Sequence, residues 1–324
     1  MKEIQYQSNS FQIKVVEPLD LESGDTLQDL RIQYHTVGTL NSNKSNVVWI
    51  FHALTANSDP AEWWPGIIAH ENPIDLQKDF IICANVIGSC YGSTEPEGFE
   101  FPVLSVKDLV SAHQVLRDQL GISKIKLGIG GSLGGQQLLE WAVQEPELFE
   151  VIVPLATNAK HSAWGIAFNE AQRMALRIGN VDKGLSVARA IAMLSYRNYQ
   201  TYEKTQTDMD HRVDSYSASS YQNHQGEKLR NRFSFYSYYY LSKAMDSHDV
   251  GRHFGGIEKA LKRIKSKVIS IGISSDILFP VQEQKLIAEY TQHGVFHAIE
   301  SLYGHDGFLL EVDQINQILK KELS

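Results

Sequence analysis

The sequence predicts an α/β fold in which a mostly parallel sheet carries helices on both faces. Continuous apolar runs, typical of buried strands, alternate with amphipathic helical patterns over residues 47–155. The same alternation resumes at Lys267, and the segment between the two blocks contains only helical patterns. We therefore expect one α/β core domain made of residues 1–156 and 257–324, with residues 157–256 inserted as a helical lid domain.

The elements follow in order along the chain. An alternating apolar pattern first indicates an antiparallel pair of strands over residues 11–18 and 27–37. Apolar runs then predict buried strands at 47–51, 80–86, 125–129, 149–155, 267–272 and 295–299. Helical periodicity predicts helices at 105–120, from Leu133, at 184–194, 228–245 and 281–292, and over a closing segment from Leu309. The polar residues 205–220 are predicted to form a loop.

Composition and charge narrow the class of protein. The chain has 324 residues, enough for a large core, and its net charge of −8 disfavours non-specific binding to nucleic acid. The spacing of Cys83 and Cys90 fits neither a disulfide framework nor a zinc site, so we expect reduced thiols and no metal. The N-terminal residues carry no apolar signal segment, and no run of about 18 apolar residues occurs. We therefore expect a cytoplasmic protein without a membrane span.

One short segment stands between a predicted strand and a predicted helix and carries a serine among glycines. Residues 130–134, Gly-Gly-Ser-Leu-Gly, fit the pattern G-x-S-x-G. That pattern places a serine on a strained turn from strand to helix, with glycines where a Cβ would collide with neighbouring elements. The N-terminus of the following helix directs its N–H groups and positive dipole end towards the serine. Ser132 is therefore the candidate nucleophile.

A serine hydroxyl needs a base and an acid that orients the base, and both candidates follow late strands. Nucleophile elbows of this kind present their partners in the order Ser, Asp or Glu, His, and Ser132, Asp276 and His305 occur in that order. Among the histidines, His305 alone lies in a loop after the last predicted strand with a glycine before it. Asp306, adjacent to His305, is the main competitor of Asp276 and is expected to point towards a substrate instead.

Two backbone N–H groups are expected to stabilise the oxyanion of an acyl-transfer intermediate. The first belongs to Leu133, the residue after the nucleophile, and the second to the loop after an early strand, where Leu54 is the natural candidate. His52, just before that loop, is expected to act as a structural hydrogen-bonding group and not as a base.

At this point the chain resembles the homoserine O-acetyltransferases of methionine biosynthesis. The matching segments run in order over nearly the whole chain: HALT (52–55), EWWPGII (62–68), NVIGSCYGST (85–94), GGSLGGQQLLEWA (130–142), NEAQR (169–173), GLSVARAIAMLSYR (184–197), HQGEKL (224–229), SKAMDSHDV (242–250), SDILFP (275–280) and YGHDGFLLE (303–311). The resemblance implies the α/β-hydrolase fold with a helical lid.

The resemblance also implies a reaction and two substrate-binding residues. In the implied ping-pong reaction, Ser132 takes the acetyl group from acetyl-CoA and homoserine then removes it, with His305 as base in both steps. By position, Arg197 would hold the carboxylate of homoserine and Asp306 its amino group, and both roles suit the charges. The family further implies a homodimer formed through the lid, with acetyl-CoA as substrate and no permanently bound cofactor.

Two segments depart from the family pattern, so the substrates stay open at this stage. After Thr94 the chain reads Glu-Pro-Glu-Gly-Phe-Glu where the family usually has a Gly-Pro-Ser-Ser segment and a longer loop. The segment 232–238 reads Arg-Phe-Ser-Phe-Tyr-Ser-Tyr where the family usually has Arg-Phe-Asp-Ala-Asn-Ser-Tyr. Succinyl-CoA as donor, or serine as acceptor, are the alternatives within acyl transfer. A second class is an esterase on the same triad, and a third is a non-catalytic binding protein that keeps the fold, against which the intact triad argues.

Overall fold

The computed structural model describes residues 8–178 and 181–324. Residues 1–7 lie outside the described residues. They belong to the predicted core domain and to the N-terminal segment in which no signal sequence was expected. The strands are β1 (Asn9–Val15), β2 (Leu19–Asp20), β3 (Thr26–Leu27), β4 (Leu30–Val37), β5 (Val47–Phe51), β6 (Phe80–Ala84), β7 (Ile125–Gly131), β8 (Phe149–Leu155), β9 (Lys267–Ile273) and β10 (Gly294–Ile299).

The helices lie between and after these strands. They are α1 (Pro60–Trp63), α2 (Val106–Gln119), α3 (Leu133–Gln144), α4 (Ala163–Ile178), α5 (Val181–Tyr196), α6 (Tyr199–Gln206), α7 (Ser217–Arg230), α8 (Phe235–Asp246), α9 (Ile257–Leu261), α10 (Val281–Tyr290), α11 (Gly307–Leu310) and α12 (Val312–Leu323). A 3₁₀ turn, Gly304–Asp306, precedes α11. Within the described ranges, no helix is long and apolar enough to span a bilayer.

The central sheet confirms the predicted mostly parallel architecture. Its eight strands lie in the order β1-β4-β6-β5-β7-β8-β9-β10. The pairs β1–β4 and β4–β6 are antiparallel, and every other neighbouring pair is parallel. Strands β5, β7, β9 and β10 therefore direct their carboxyl ends to the same edge, where the loops that carry Leu54, Ser132, Asp276 and His305 begin.

Strand β5 shows why both faces of the sheet need a covering layer. All five of its residues are buried, and successive side chains point to opposite faces. Val47, Trp49 and Phe51 join a core with α2 and α3, whereas Val48 and Ile50 join a second core with α12. A strand apolar on both faces cannot lie at a solvent-exposed surface, so helices must pack on each side.

Helices α4 to α8 lie between β8 and β9 in the chain, within the inserted segment of residues 157–256. Their buried side chains, among them Leu176, Leu185, Leu229 and Tyr238, belong to the same apolar core as α2 and α3. The apolar core is thus continuous from the α/β layer into the inserted segment. The division of the chain into a core domain and a lid domain stays a prediction.

The predicted helix over residues 228–245 is wrong, because the structure has two helices there. Helix α7 ends at Arg230, and α8 begins at Phe235. Ser234 has an extended backbone, and its side chain accepts a hydrogen bond from the N–H of Ser237. A serine in this geometry caps the N-terminus of a new helix, which a continuous apolar pattern conceals.

The predicted loop over residues 205–220 and the predicted N-terminal pair also need correction. Helix α7 already begins at Ser217, whose N–H donates to the Asp208 carboxylate 3.0 Å away. The Asp208 carboxylate thus stabilises the N-terminus of α7. The prediction missed this helix start because hydrophobic periodicity does not show a hydrogen-bond partner from an earlier segment. Strands β1 and β4 do pair as expected, but they are shorter than predicted, and the small β2–β3 pair lies between them.

Candidate active site

The turn between β7 and α3 holds Ser132 in a strained conformation. Its φ of 57° and ψ of −127° lie in a region that residues with a Cβ rarely adopt. Three hydrogen bonds fix its backbone: its N–H donates to Leu155 O at 3.0 Å, and its carbonyl accepts from Thr157 Oγ1 at 2.9 Å and from Gln136 N–H at 3.1 Å. The surrounding structure therefore holds the strained turn in place.

The glycines of the turn provide space that any side chain would fill. A Cβ at Gly134 would lie 2.2 Å from the carbonyl oxygen of Phe51, on the neighbouring strand. A Cβ at Gly130 would lie 2.6 Å from the backbone of Gly134 itself. Helix α3 can therefore approach β5 and β7 this closely only because both positions are glycine, as the G-x-S-x-G pattern predicts.

His305 and Asp276 form a buried hydrogen-bonded pair. His305 Nδ1 lies 2.7 Å from Asp276 Oδ2, and the side chains are 3% and 0% exposed. The other carboxylate oxygen, Oδ1, accepts from the N–H groups of Leu278 at 2.8 Å and Phe279 at 2.9 Å. Because a carboxylate only accepts, the imidazole proton lies on Nδ1, which leaves Nε2 without a proton and able to act as a base.

Aromatic rings fix the orientation of the His305 imidazole. Phe279 stacks on it at a centroid distance of 5.0 Å, and Phe308 meets it edge-on at 5.4 Å. Gly304, directly before it, has a φ of 59°, and a Cβ there would lie 3.0 Å from Tyr196 O. The glycine before the histidine, noted in the sequence, therefore lets the loop pass close to α5.

The loop after β5 carries Leu54, the predicted oxyanion donor, and His52 anchors its base. The fully buried His52 accepts a hydrogen bond at Nε2 from Val86 N–H, 3.0 Å away, so its proton lies on Nδ1 and is donated to Ala53 O at 2.9 Å. Burial lowers the pKa of His52 to about 4, so the ring stays neutral. This matches the structural role expected for His52.

Arg197 and Asp306, the two predicted substrate-binding residues, contact each other. Arg197 Nη2 lies 3.1 Å from Asp306 Oδ2, and both side chains are largely buried. Within the described part of the chain, Nε and Nη1 of Arg197 are buried and have no hydrogen-bond partner. The guanidinium also lies over the ring of Tyr303, 5.2 Å from its centroid. A buried guanidinium with free donors is prepared to receive an anion.

One cavity of about 530 Å³ brings most of the predicted residues together. Ser132, His305, Leu54 and Asp306 line it. Asp276 is covered by its contacts with His305 and the following turn, and Arg197 is connected to the cavity through Asp306. Leu133 is fully buried at the first position of α3, immediately after the nucleophile.

Several cavity residues were not singled out in the sequence. The cavity is also lined by Arg189, Lys228, Arg232, Tyr91 and Glu62. All but Arg232 lie in segments that match the family pattern, and this resemblance was the signal that could have indicated them. The resemblance alone did not assign them a role. For Arg189 and Lys228 in particular, a basic residue on a helix is more often solvated than directed towards a site.

Neither cysteine of the chain lines this cavity, and both are free thiols. Cys83 is buried and Cys90 is partly buried, and neither forms a disulfide. Across residues 8–178 and 181–324, no group of three or more His, Cys, Asp or Glu side chains is arranged to hold a metal ion.

Glu283, on α10, is an unforeseen titratable group close to Asp276. Burial is the main influence on its pKa; the hydrogen bond from Asn158 Nδ2, at 3.1 Å, opposes that effect and the charge of Asp276 adds to it. The net result raises the pKa of Glu283 from 4.5 to about 7. The folded protein therefore keeps a proton on Glu283 at pH values where the unfolded chain has lost it.

This shift makes folding stability depend on pH. Below pH 4.5 Glu283 is protonated in both states; as the pH rises towards about 7 only the unfolded chain releases the proton, so stability falls. We expect Glu283→Gln to remove this loss, roughly 1–3 kcal/mol after allowance for partial exposure. Denaturant unfolding at pH 4.5 and 8 measures it. The expectation would be contradicted if the free energy of unfolding of the variant, relative to that of the wild-type protein, were no higher at pH 8 than at pH 4.5.

Comparisons with known proteins agree with the fold and with the resemblance. A family model described as the alpha/beta hydrolase fold matches residues 46–312. A homoserine O-acetyltransferase of Cyclobacterium marinum is 46% identical over 94% of this chain and 92% of its own length. A crystal structure of homoserine O-acetyltransferase from Staphylococcus aureus superimposes with a TM-score of 0.86, at 29% identity over 98% of this chain and 96% of that one.

The same fold also occurs in a hydrolase. An acetylester hydrolase from Corynebacterium glutamicum matches with a TM-score of 0.82, at 25% identity over 98% of this chain and 95% of that one. The sequence relatives are considerably closer, and the identity of 46% extends over nearly the full length of both chains. This chain therefore belongs to the homoserine O-acetyltransferase family of α/β hydrolases.

Proposed function

We propose that the protein transfers an acetyl group from acetyl-CoA to the hydroxyl of L-homoserine through an acetyl-Ser132 intermediate. The observation that carries the proposal is the cavity itself, which joins a strained serine, a histidine with a free Nε2 and a carboxylate paired with a buried arginine. The first two groups suit acyl transfer, and the charged pair suits an amino acid acceptor. Acetyl-CoA is a substrate in this reaction, which needs no resident cofactor.

In the first half-reaction, Ser132 Oγ attacks the thioester carbonyl carbon while His305 Nε2 takes the hydroxyl proton. Negative charge develops on the carbonyl oxygen, and the N–H groups of Leu54 and Leu133 stabilise it by donating hydrogen bonds. The carbon–sulfur bond then breaks, and the thiol of CoA leaves with the proton from His305. Asp276 stabilises the imidazolium that exists between these two events.

In the second half-reaction, the homoserine hydroxyl takes the place of the thiol. His305 Nε2 removes the hydroxyl proton, the oxygen attacks the acetyl carbonyl, and the bond to Ser132 Oγ breaks as that oxygen regains a proton. The amino acid carries one ammonium and one carboxylate, so it can replace the Arg197–Asp306 contact by two contacts of the same kind. The free Nε and Nη1 donors of Arg197 would then find an acceptor.

Arg197→Met tests the acceptor site. Loss of a charged hydrogen-bonding partner is expected to lower kcat/KM for homoserine by about 10- to 100-fold. Acylation by acetyl-CoA alone should change less than about threefold, because the donor does not use this carboxylate site. Steady-state kinetics and single-turnover thiol release measure the two quantities separately. An equal loss in both half-reactions would show that Arg197 supports the active site in general and does not select the acceptor.

Thiol release tests the proposed reaction and its alternatives. The protein is incubated with acetyl-CoA or succinyl-CoA, each with homoserine, with serine or with water alone, and free thiol and product are followed together. We expect acetyl-CoA with homoserine to be fastest. Thiol release that homoserine does not accelerate over water would instead identify a thioester or ester hydrolase on the same triad. A preference for succinyl-CoA or for serine would reassign the donor or the acceptor.

The proposal includes a place of action and an assembly. An acyl-CoA-dependent enzyme of amino acid synthesis is expected to work in the cytoplasm. We also propose a homodimer through the inserted segment, supported by exposed apolar side chains on α4 and α5: Trp164, Met174, Ile178, Val187 and Leu194. Sedimentation equilibrium at micromolar concentration tests the assembly, and a monomeric mass would contradict it.

A further inference from the structure

We infer that Arg232 is a positioning residue that holds the loop carrying Leu54 in the conformation that acyl transfer requires. Arg232 lies in the short connection between α7 and α8, within the inserted segment, whereas Leu54 lies in the loop after β5. The inference rests on the proposed acyl transfer through Ser132 and on the Leu54 N–H as an oxyanion donor.

The guanidinium of Arg232 contacts the residue next to Leu54 at two points. Nη1 donates to the carbonyl oxygen of Thr55, and Nη2 donates to Thr55 Oγ1 at 3.2 Å. Nη1 also donates to the hydroxyl of Tyr91 at 3.0 Å, and that hydroxyl in turn donates to the backbone carbonyl of Arg232 at 2.9 Å. A planar guanidinium that makes such a forked contact fixes both the position and the orientation of its partner.

The held segment is a tight turn with Leu54 and Thr55 at its centre. The N–H of Ala56 donates to Ala53 O at 3.0 Å and closes the turn. On the core side of the turn, the buried His52 donates to the same Ala53 carbonyl. On the cavity side, Arg232 donates hydrogen bonds to Thr55. The turn is thus held on the core side by a buried ring and on the cavity side by a residue of the inserted segment.

This arrangement matters because an oxyanion donor is effective only at a fixed position. A hydrogen bond to developing charge loses its value when the donor shifts by about 0.5 Å or more. The loop after β5 has no regular secondary structure at Leu54 and Thr55 to keep it in place. Arg232 therefore adds a restraint on the cavity side of this turn, beside the closing hydrogen bond and the contact with His52.

Arg232 also lines the cavity, so a direct contact with the phosphates of acetyl-CoA is the competing role. The two roles predict different responses to the donor. The acetyl thioester of N-acetylcysteamine keeps the reacting thioester and lacks every phosphate. A positioning residue affects both donors equally, whereas a phosphate-binding residue affects acetyl-CoA alone.

The test compares Arg232→Met with the wild-type protein on both donors, with homoserine as acceptor. We expect kcat/KM to fall about 10- to 100-fold for each thioester, and kcat for acetyl-CoA to fall by a similar factor while its KM changes less than about twofold. Arg232→Lys, which keeps the charge and loses the fork, should recover only part of the activity. Arg230→Met, an exposed arginine at the end of α7, is the matched control and should stay within about twofold of wild type.

Each outcome separates the inference from the proposed function. A loss confined to acetyl-CoA and expressed in its KM would overturn the positioning role in favour of phosphate binding. Full activity of Arg232→Met on both donors would also overturn it and leave the proposed function intact. Should wild type not turn over the short thioester, the split between kcat and KM for acetyl-CoA decides. Absence of thiol release from acetyl-CoA by wild type would instead reject the proposed function.

Discussion

Replacing Ser132 by alanine is expected to lower the rate of acetyl transfer by at least about 10⁴-fold, because the substitution removes the hydroxyl that carries the acetyl group in the proposed mechanism. Alanine removes only the Oγ atom. The backbone hydrogen bonds to Leu155, Thr157 and Gln136 do not involve that atom, so the strained turn should persist. Stopped-flow detection of free thiol, with and without homoserine, measures the loss.

A matched control distinguishes the nucleophile from an ordinary buried hydroxyl. Ser270, on β9, is fully buried, and its Oγ donates to Gln284 O at 2.9 Å, away from the cavity. We expect Ser270→Ala to reduce stability slightly and to keep kcat within about threefold of wild type. If Ser132→Ala retained a tenth of the wild-type rate, the mechanism through an acyl-serine would have to be abandoned.

Asp276→Asn is expected to lower kcat by about 10³- to 10⁴-fold while the protein stays folded. The reason is the direction of two hydrogen bonds. The N–H groups of Leu278 and Phe279 would hold the amide oxygen, so the NH₂ group would face His305 Nδ1. A donor in that position forces Nδ1 to accept, which places the imidazole proton on Nε2. His305 could then no longer take the proton from Ser132.

The two half-reactions and the fold serve as checks on this explanation. Both acylation by acetyl-CoA and transfer to homoserine use His305 as base, so both should slow by a similar factor. Thermal unfolding should show a folded variant, since the substitution conserves volume and the backbone contacts. A loss below about tenfold would mean that Asp276 does not set the tautomer of His305 and that another group orients it.

The sequence already predicted the residues around the candidate nucleophile, because each has a local signature. Ser132 lies in a glycine pattern whose steric reason is visible at Gly134, and Asp276 and His305 each follow a late parallel strand. Parallel strands run in one direction, so the loops that follow their carboxyl ends can be predicted to meet at one edge of the sheet. Continuous apolar runs likewise predicted β5, which is buried on both faces, and β8, which is buried over its last four residues.

What the sequence could not predict depends on contacts between distant residues. The break between α7 and α8 depends on the cap at Ser234, and the start of α7 depends on Asp208. The contact of Arg232 with Thr55 joins residues 177 positions apart, and no local pattern reports it. The raised pKa of Glu283 similarly results from burial against elements far away in the chain.

The measurement that tests the central claim most directly is the location of the acetyl group on the protein. Wild-type protein is mixed with acetyl-CoA without homoserine, quenched in acid, digested and analysed by mass spectrometry; a parallel sample receives homoserine before the quench. We predict one acetyl group on the peptide that contains Ser132, and its disappearance with formation of O-acetylhomoserine in the second sample. An unmodified Ser132 peptide, or an acetyl group that homoserine cannot remove, would contradict the proposed mechanism.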